Sequence, residues 1–151
     1  MILVRTKLAP SAIHGIGLFA DEFLPEGTVT WEFCPDFDSA FSEQDIGRMS
    51  APARAQFLRY AYFDKDLARY VLCFDDQRFI NHTPHELANI HSTPRRDVAA
   101  RDILPGEELL CDYNHYDDTY FRRAQIEERA LIRPFIPSVT ERKPGDLVGK
   151  C

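Results

Sequence analysis

Arg78-Phe79-Ile80-Asn81-His82-Thr83 and, further on, Glu108-Leu109-Leu110-Cys111-Asp112-Tyr113 are the two stretches on which the reading of this chain turns. Phe79 and Ile80 suit burial, whereas Asn81 and His82 carry donors and acceptors that need partners once buried. The first stretch therefore reads as a strand end running into polar groups. In the second, Leu109, Cys111 and Tyr113 share one face and Leu110, Asp112 and Asn114 the other, the two-residue period of a strand. Both place their chemistry at the C-terminal end of an extended segment.

Outward from these stretches the chain is built of short β units. Ala20-Asp21-Glu22-Phe23-Leu24-Pro25-Glu26-Gly27 parallels Ala100-Arg101-Asp102-Ile103-Leu104-Pro105-Gly106-Glu107. Each copy is a strand, a Leu-Pro turn with glycine, and another strand. After the first copy, Thr28 to Phe33 alternates, with Val29, Trp31 and Phe33 inward and Thr28, Thr30 and Glu32 outward. After the second, Glu108 to Asn114 forms the matching strand. Ile2 to Val4 reads as a first strand. Gly15 and Gly17, in Ser11-Ala12-Ile13-His14-Gly15-Ile16-Gly17-Leu18-Phe19-Ala20, allow amides to approach a ligand; no third glycine completes a dinucleotide fingerprint.

Between the copies lies a helical insert near 42–62. Ser42 with Asp45 makes a capping pattern, and Ser50 with Pro52 opens a second helix whose Phe57, Leu58, Ala61 and Tyr62 share a face. Tyr70 to Phe74 is a buried strand, Thr83-Pro84-His85-Glu86 a loop, and Asn89-Ile90 a short extended piece. Tyr116 to Ile132 has helical character, capped at Asp117 or Asp118 and stopped at Arg133-Pro134. The organisation expected is a domain over 1–116, a closing segment over 117–133 and a mobile tail over 134–151.

The 151 residues suffice for one domain with a real core. A formal net charge of −6 disfavours phosphate binding, hence no nucleic-acid partner, and suits a basic protein segment. No apolar run is long enough to cross a bilayer and Met1 to Pro10 lacks a leader's apolar core, so a cytoplasmic protein without a membrane partner is expected. Cys34, Cys73, Cys111 and Cys151 form no C-x-x-C pair and read as free thiols. His82-x-x-His85 has the chemistry of metal ligands, but Pro84 opposes the helix that would align them, and no metal is expected. A Cys–His nucleophile pair, Cys73 or Cys111 with His82, is the other chemical alternative, set against the inertness of thiols in apolar strands.

Gly15-Ile16-Gly17-Leu18-Phe19, Arg78-Phe79-Ile80-Asn81-His82-Thr83 and Gly106-Glu107-Glu108-Leu109-Leu110-Cys111-Asp112-Tyr113, in that order, resemble the SET-domain family of S-adenosylmethionine-dependent protein-lysine methyltransferases. The resemblance covers roughly residues 2 to 116. It implies a mainly β fold of small sheets with short helices (a β-clip) and a C-terminal pseudoknot in which Asp112-Tyr113 threads past Phe79–His82. It further implies S-adenosylmethionine as cofactor, with Ile16, Gly17 and Leu18 at its methionine part, Asn81 binding it and the His82 main chain holding its adenine. Tyr113 matches the catalytic tyrosine, and one of Tyr116, Tyr120 or Phe121 would cover the adenine. The implied substrate is a lysine of a protein. A SET-fold binding module without turnover is the alternative, and a metal or thiol hydrolase a remote one.

Three departures stand out. Thr83-Pro84-His85-Glu86-Leu87-Ala88-Asn89 is longer than the serine-containing loop common in the family. Cys111 and Phe33 stand where channel tyrosines are common. The cysteine-rich zinc cap that follows many members is absent.

Overall fold

The two Leu-Pro units fold back to back. Leu24 and Ile103 exchange backbone hydrogen bonds of 2.9 Å in both directions, Gly106 N–H donates to Ala20, and Gly27 N–H donates to Ala99. Gly27 (φ 81°) and Gly106 (φ 89°) hold the left-handed conformation that each turn demands. Leu24, Ile103, Ala20 and Ala99 meet in the main core with Leu18, Ile80, Ile90, Leu109 and Cys111. The duplication in the sequence is thus a pair of turns that bury each other's leucine and isoleucine.

This arrangement comes from a computed structural model that describes residues 1–128. In chain order the strands are β1 (Thr6–Pro10), β2 (Ile16–Ala20), β3 (Val29–Glu32), β4 (Ser39–Phe41), β5 (Tyr62–Asp64), β6 (Arg69–Leu72), β7 (Asn81–His82), β8 (Ile90–Ser92), β9 (Arg96–Ala99) and β10 (Leu110–Cys111). The helices are α1 (Glu43–Gly47), α2 (Ala51–Tyr60) and α3 (Tyr120–Ala124). β1 and β2 form an antiparallel pair, β4-β6-β5 a small sheet over the helical insert, and β3-β9-β8-β10-β7 the central sheet. The fold is mainly β with short helices, as expected.

β10 decides the topology. It lies between β7 and β8 and pairs parallel with both, with Leu110 opposite Asn81 and Cys111 opposite both His82 and Ile90. The connection 83–89 between those neighbours must therefore pass across it, the threading that the family resemblance implies. Asn89, almost wholly buried, clamps β10 from this connection: its Oδ1 accepts from Leu110 N–H at 2.8 Å and its Nδ2 donates to Glu108 O at 2.8 Å. One carboxamide thus replaces two ladder bonds where the strand is too short to make them.

The insert follows its local signals. Ser42 and Asp45 form a reciprocal capping box on α1, and Ser50 caps α2 with proline in the first turn. Ile46, Phe57 and Ala61 make a second small core.

Four expectations need correction. Ile2 to Val4 makes only a bridge from Ile2 to Trp31, and the first strand is Thr6–Pro10, because the long hairpin partner there is β2. Thr30 is buried, since the register between β3 and β9 shifts between Val29 and Trp31; its hydroxyl donates to Asp97 O. Tyr62 lies past the end of α2, in β5. Residues 76–79 form a 3-10 turn rather than a strand end, leaving Phe79 half-buried under the Arg78 guanidinium. Of the expected 116–132 helix, α3 is the part within residues 1–128; residues 129–132 and the expected tail lie outside the described residues.

Candidate active site

Asn81 is the hub of one side of the site. Its Nδ2 donates to His14 O and Ile16 O, both at 3.1 Å, and to Glu108 Oε1 at 2.9 Å. Glu108 takes a further bond at Oε2 from Ser11 Oγ at 3.0 Å. One carboxylate therefore ties the two arms of the β1–β2 hairpin to the start of β7. Gly17 is the residue that allows this, because a Cβ there would overlap the Glu108 carboxylate. Asn81 Oδ1, by contrast, accepts no side-chain hydrogen bond among the described residues.

A cleft of about 240 Å³ opens beside this network, lined by His14, Gly15, Ile16, Phe79, Ile80, Asn81, Tyr113 and Tyr120, with Arg59 and Arg78 at its edge. Gly15 is left-handed (φ 53°) and Ile16 half-exposed, so the backbone of 14–16 forms a rim. Gly17 and Leu18 do not line the cleft. Leu18 is fully buried, and its carbonyl accepts from Leu109 N–H at 2.7 Å.

Tyr113 stands at the end of β10, in the wall this cleft shares with a second cavity. Its hydroxyl donates to Ile80 O at 2.5 Å, and its backbone N–H to His82 Nδ1 at 3.1 Å. The second bond fixes the tautomer of neutral His82, with the proton on Nε2. Burial holds His82 below the ordinary histidine range despite Asp112 and Glu128 nearby. Burial likewise pushes the Tyr113 phenol well above its ordinary range.

The second cavity, about 50 Å³, is narrow and aromatic: Trp31, Tyr60, Tyr62, Tyr113, Tyr116 and Tyr120 line it with Ile80, Thr93, Cys73, Gln77 and Asp97. The rings step edge-on from Trp31 to Tyr62 (6.5 Å), Tyr62 to Tyr116 (5.7 Å) and Tyr116 to Tyr113 (6.2 Å). Tyr116 is therefore on the far side of Tyr113 from the cleft. Tyr120 belongs to both walls. Phe121 lines neither and packs on His82, with ring centroids 4.9 Å apart.

The closing segment is docked by Arg123, which ion-pairs with buried Asp117 and donates to Leu58 O and Ala61 O; Asp117 also accepts from Phe63 N–H at 2.8 Å. That places Tyr120, whose hydroxyl donates to Arg59 O at 2.7 Å. Cys73 and Cys111 are buried with thiols raised by desolvation, which opposes thiolate chemistry.

Sequence reasoning brought Ile16, Asn81, Tyr113 and Tyr120 to one cleft, left the place of Asn89 open, and missed Glu108 and Asp97. The only signal for Glu108 was its place beside Leu109 in an alternating strand, where its face opposes Gly17.

Comparison with known proteins identifies the family and the fold. The family model of the SET domain matches residues 15–114. No curated protein sequence matches the chain. Among solved structures, the chain is similar to a provisionally named histone methyltransferase of Plasmodium falciparum (18% identity, 76% of this chain and 96% of that one, TM-score 0.52). It is also similar to the SET8 protein of Cryptosporidium (25% identity, 74% and 58%, TM-score 0.54). A third is Chaetomium thermophilum polycomb repressive complex 2 in an autoinhibited, S-adenosylmethionine-bound form (20% identity, 80% and 16%, TM-score 0.58). The chain thus spans about a sixth of the polycomb chain it matches. With the family model covering the glycine hairpin, the Asn81–His82 strand and Tyr113 alike, this chain belongs to the SET-domain family.

Proposed function

We propose that this protein transfers a methyl group from S-adenosylmethionine to a lysine side chain of a protein. The observation that carries the reading is that Tyr113 forms part of the wall between a cleft of about 240 Å³ and a smaller, aromatic-lined cavity. A cofactor entering one side and a substrate side chain the other would meet at its hydroxyl.

The cleft fits a zwitterionic amino-acid group. Asn81 Oδ1 is a free acceptor for an ammonium, Arg59 and Arg78 offer cations for a carboxylate, and Ile16 and Phe79 give apolar cover. Gly15 and Ile16 would approach the methionine part, with Gly17 and Leu18 supporting them from behind. The His82 main chain beside Phe121 would meet the adenine. Tyr116, across Tyr113, is assigned to the channel instead.

When bound, the cofactor supplies a sulfonium methyl, an electrophile that needs only an aligned nucleophile. The chain's own residues would then have only to present a neutral substrate amine in line with that methyl. Tyr113 and Ile80 O align the amine. The Tyr113 phenol stays neutral, because its burial disfavours the phenolate. It therefore orients rather than deprotonates. The aromatic walls would shield the ammonium (pKa ~10.4 in water) from bulk solvent and favour its neutral form. The acidic chain, net charge −6, suits a basic segment around the target lysine.

The test is labelled-methyl transfer from S-adenosylmethionine onto an array of lysine peptides. Wild type should label a subset, while Tyr113→Phe should bind cofactor normally and label at least tenfold more slowly. Equal labelling by the two would remove Tyr113 from the chemistry.

A further inference from the structure

The aromatic cavity is lined by a carboxyl that the methyl-transfer reading does not use. Asp97, on β9, is 3% exposed and lines the same cavity as Tyr113 and Ile80. Gln77 Nε2 donates to its Oδ2, and Trp31 and Ser92 stand opposite it across the sheet. The ionisable groups facing it are Cys73, Cys111 and Tyr116, all neutral in their buried setting. No ion pair among the described residues includes Asp97, although Arg59 and Arg78 line the same cavity. Arg78 is turned toward Phe74 O and the Phe79 ring. A buried carboxyl without a cation is expensive to keep ionised, and packing alone gives no reason for it.

A second observation points to an occupant of that space. Trp31 Nε1, on a residue 2% exposed in the same wall, has no hydrogen-bond partner among the described residues. A cavity of about 50 Å³ with an indole N–H, a carboxyl and the Gln77 amide around it is roomy and polar enough to hold water.

We propose that Asp97 accepts the proton of the substrate ammonium, relayed from the Tyr113 end of the channel by water held between Trp31 and Asp97. This rests on the methyl-transfer reading above. The balance is simple: one amine N–H bond breaks, a proton passes along the water, and an Asp97 O–H bond forms. The neutral amine then attacks the methyl, and Asp97 returns the proton to solvent when product leaves. Burial raises the Asp97 carboxyl to about 7, near the pH at which such an acceptor works best. The role would be a proton-relay one, since Asp97 acts through water rather than on the reacting atoms.

The experiment measures single-turnover methyl transfer from labelled S-adenosylmethionine to a labelled-array peptide between pH 6 and 10, alongside calorimetric cofactor binding. Wild type should gain rate through about pH 7. Asp97→Asn should bind cofactor within twofold, lose at least tenfold in rate at pH 7, and recover to within about threefold near pH 10, where the amine deprotonates unaided. Trp31→Phe keeps the ring and removes only Nε1–H; it should give the same pattern with a smaller, several-fold deficit, and it decides the matter if Asp97→Asn does not fold. An unchanged pH profile in both variants, or a loss equal at every pH, would overturn the relay. Absence of cofactor binding or labelling by wild type would instead fail the methyl-transfer reading itself.

Discussion

The two sides of Tyr113 are built on opposite terms. On the cleft side, Asn81 Nδ2, Glu108 and Ser11 satisfy one another across three segments of chain. On the channel side, Asp97 has no cation and Trp31 Nε1 no acceptor among the described residues. Both regions bury polar groups, but only one completes them. The difference separates scaffold from working surface: a closed network holds backbone in place, whereas polar atoms left open in a cavity cost stability and await water or substrate. Asn81 belongs to both kinds, with its amide nitrogen committed to the scaffold and its oxygen free.

The largest expected effect lies on the open side. The folded-state carboxyl of Asp97 sits near 7 against about 3.9 in an unfolded chain. Below pH 4 both states are protonated and Asp97 is neutral to stability. Between about pH 4 and pH 7 the unfolded state ionises while the folded state stays protonated, so stability is lost; above 7 the folded carboxyl ionises too and the loss levels off. The stability difference between Asp97→Asn and wild type should therefore shift in favour of the variant by on the order of 4 kcal/mol between pH 4 and pH 8. Denaturant melts at several pH values measure it. A difference independent of pH would mean that Asp97 is paired in solution.

On the closed side the signs reverse. Glu108→Ala should cost about 3 kcal/mol, since it removes the acceptor of the Ser11 hydroxyl and one of the three acceptors of Asn81 Nδ2, and it should weaken cofactor binding by loosening the hairpin. Asn89→Ala should cost about 2 kcal/mol by releasing both backbone groups of the inserted strand, with turnover reduced in step with the displacement of Tyr113. Chemical denaturation with a parallel transfer assay checks each. The smallest effect should come from Ser42→Ala, which removes a half-buried cap for about 1 kcal/mol and leaves methyl transfer unchanged. A loss of transfer there would extend the site into the insert.

The same contrast shows how much could be read in the sequence. The Leu-Pro turns, the capping box at Ser42 and the Leu109–Cys111–Tyr113 face were legible because each is decided by residues a few positions apart. Asn81 and Tyr113 were singled out by the resemblance, through the order of the three motifs, and not by their local pattern. Glu108 and Asp97 were not legible: Glu108 meets Ser11 across 97 positions, and Asp97 meets Gln77 across 20. Until β3 and β9 pair, nothing marks Asp97 as buried, and the register shift that sends Thr30 inward is set by that pairing. Long-range partners, not local propensity, made these sites.

In the methyl-transfer reading, the cleft beside Asn81 holds S-adenosylmethionine, and Gly17 leaves room behind it for the Glu108 carboxylate. Calorimetric titration of the cofactor into wild type and Gly17→Ala tests it most directly. Wild type should show saturable one-site binding, and Gly17→Ala, still folded, should lose at least tenfold in affinity. No saturable binding by wild type, or equal affinity in the two proteins, would contradict the account.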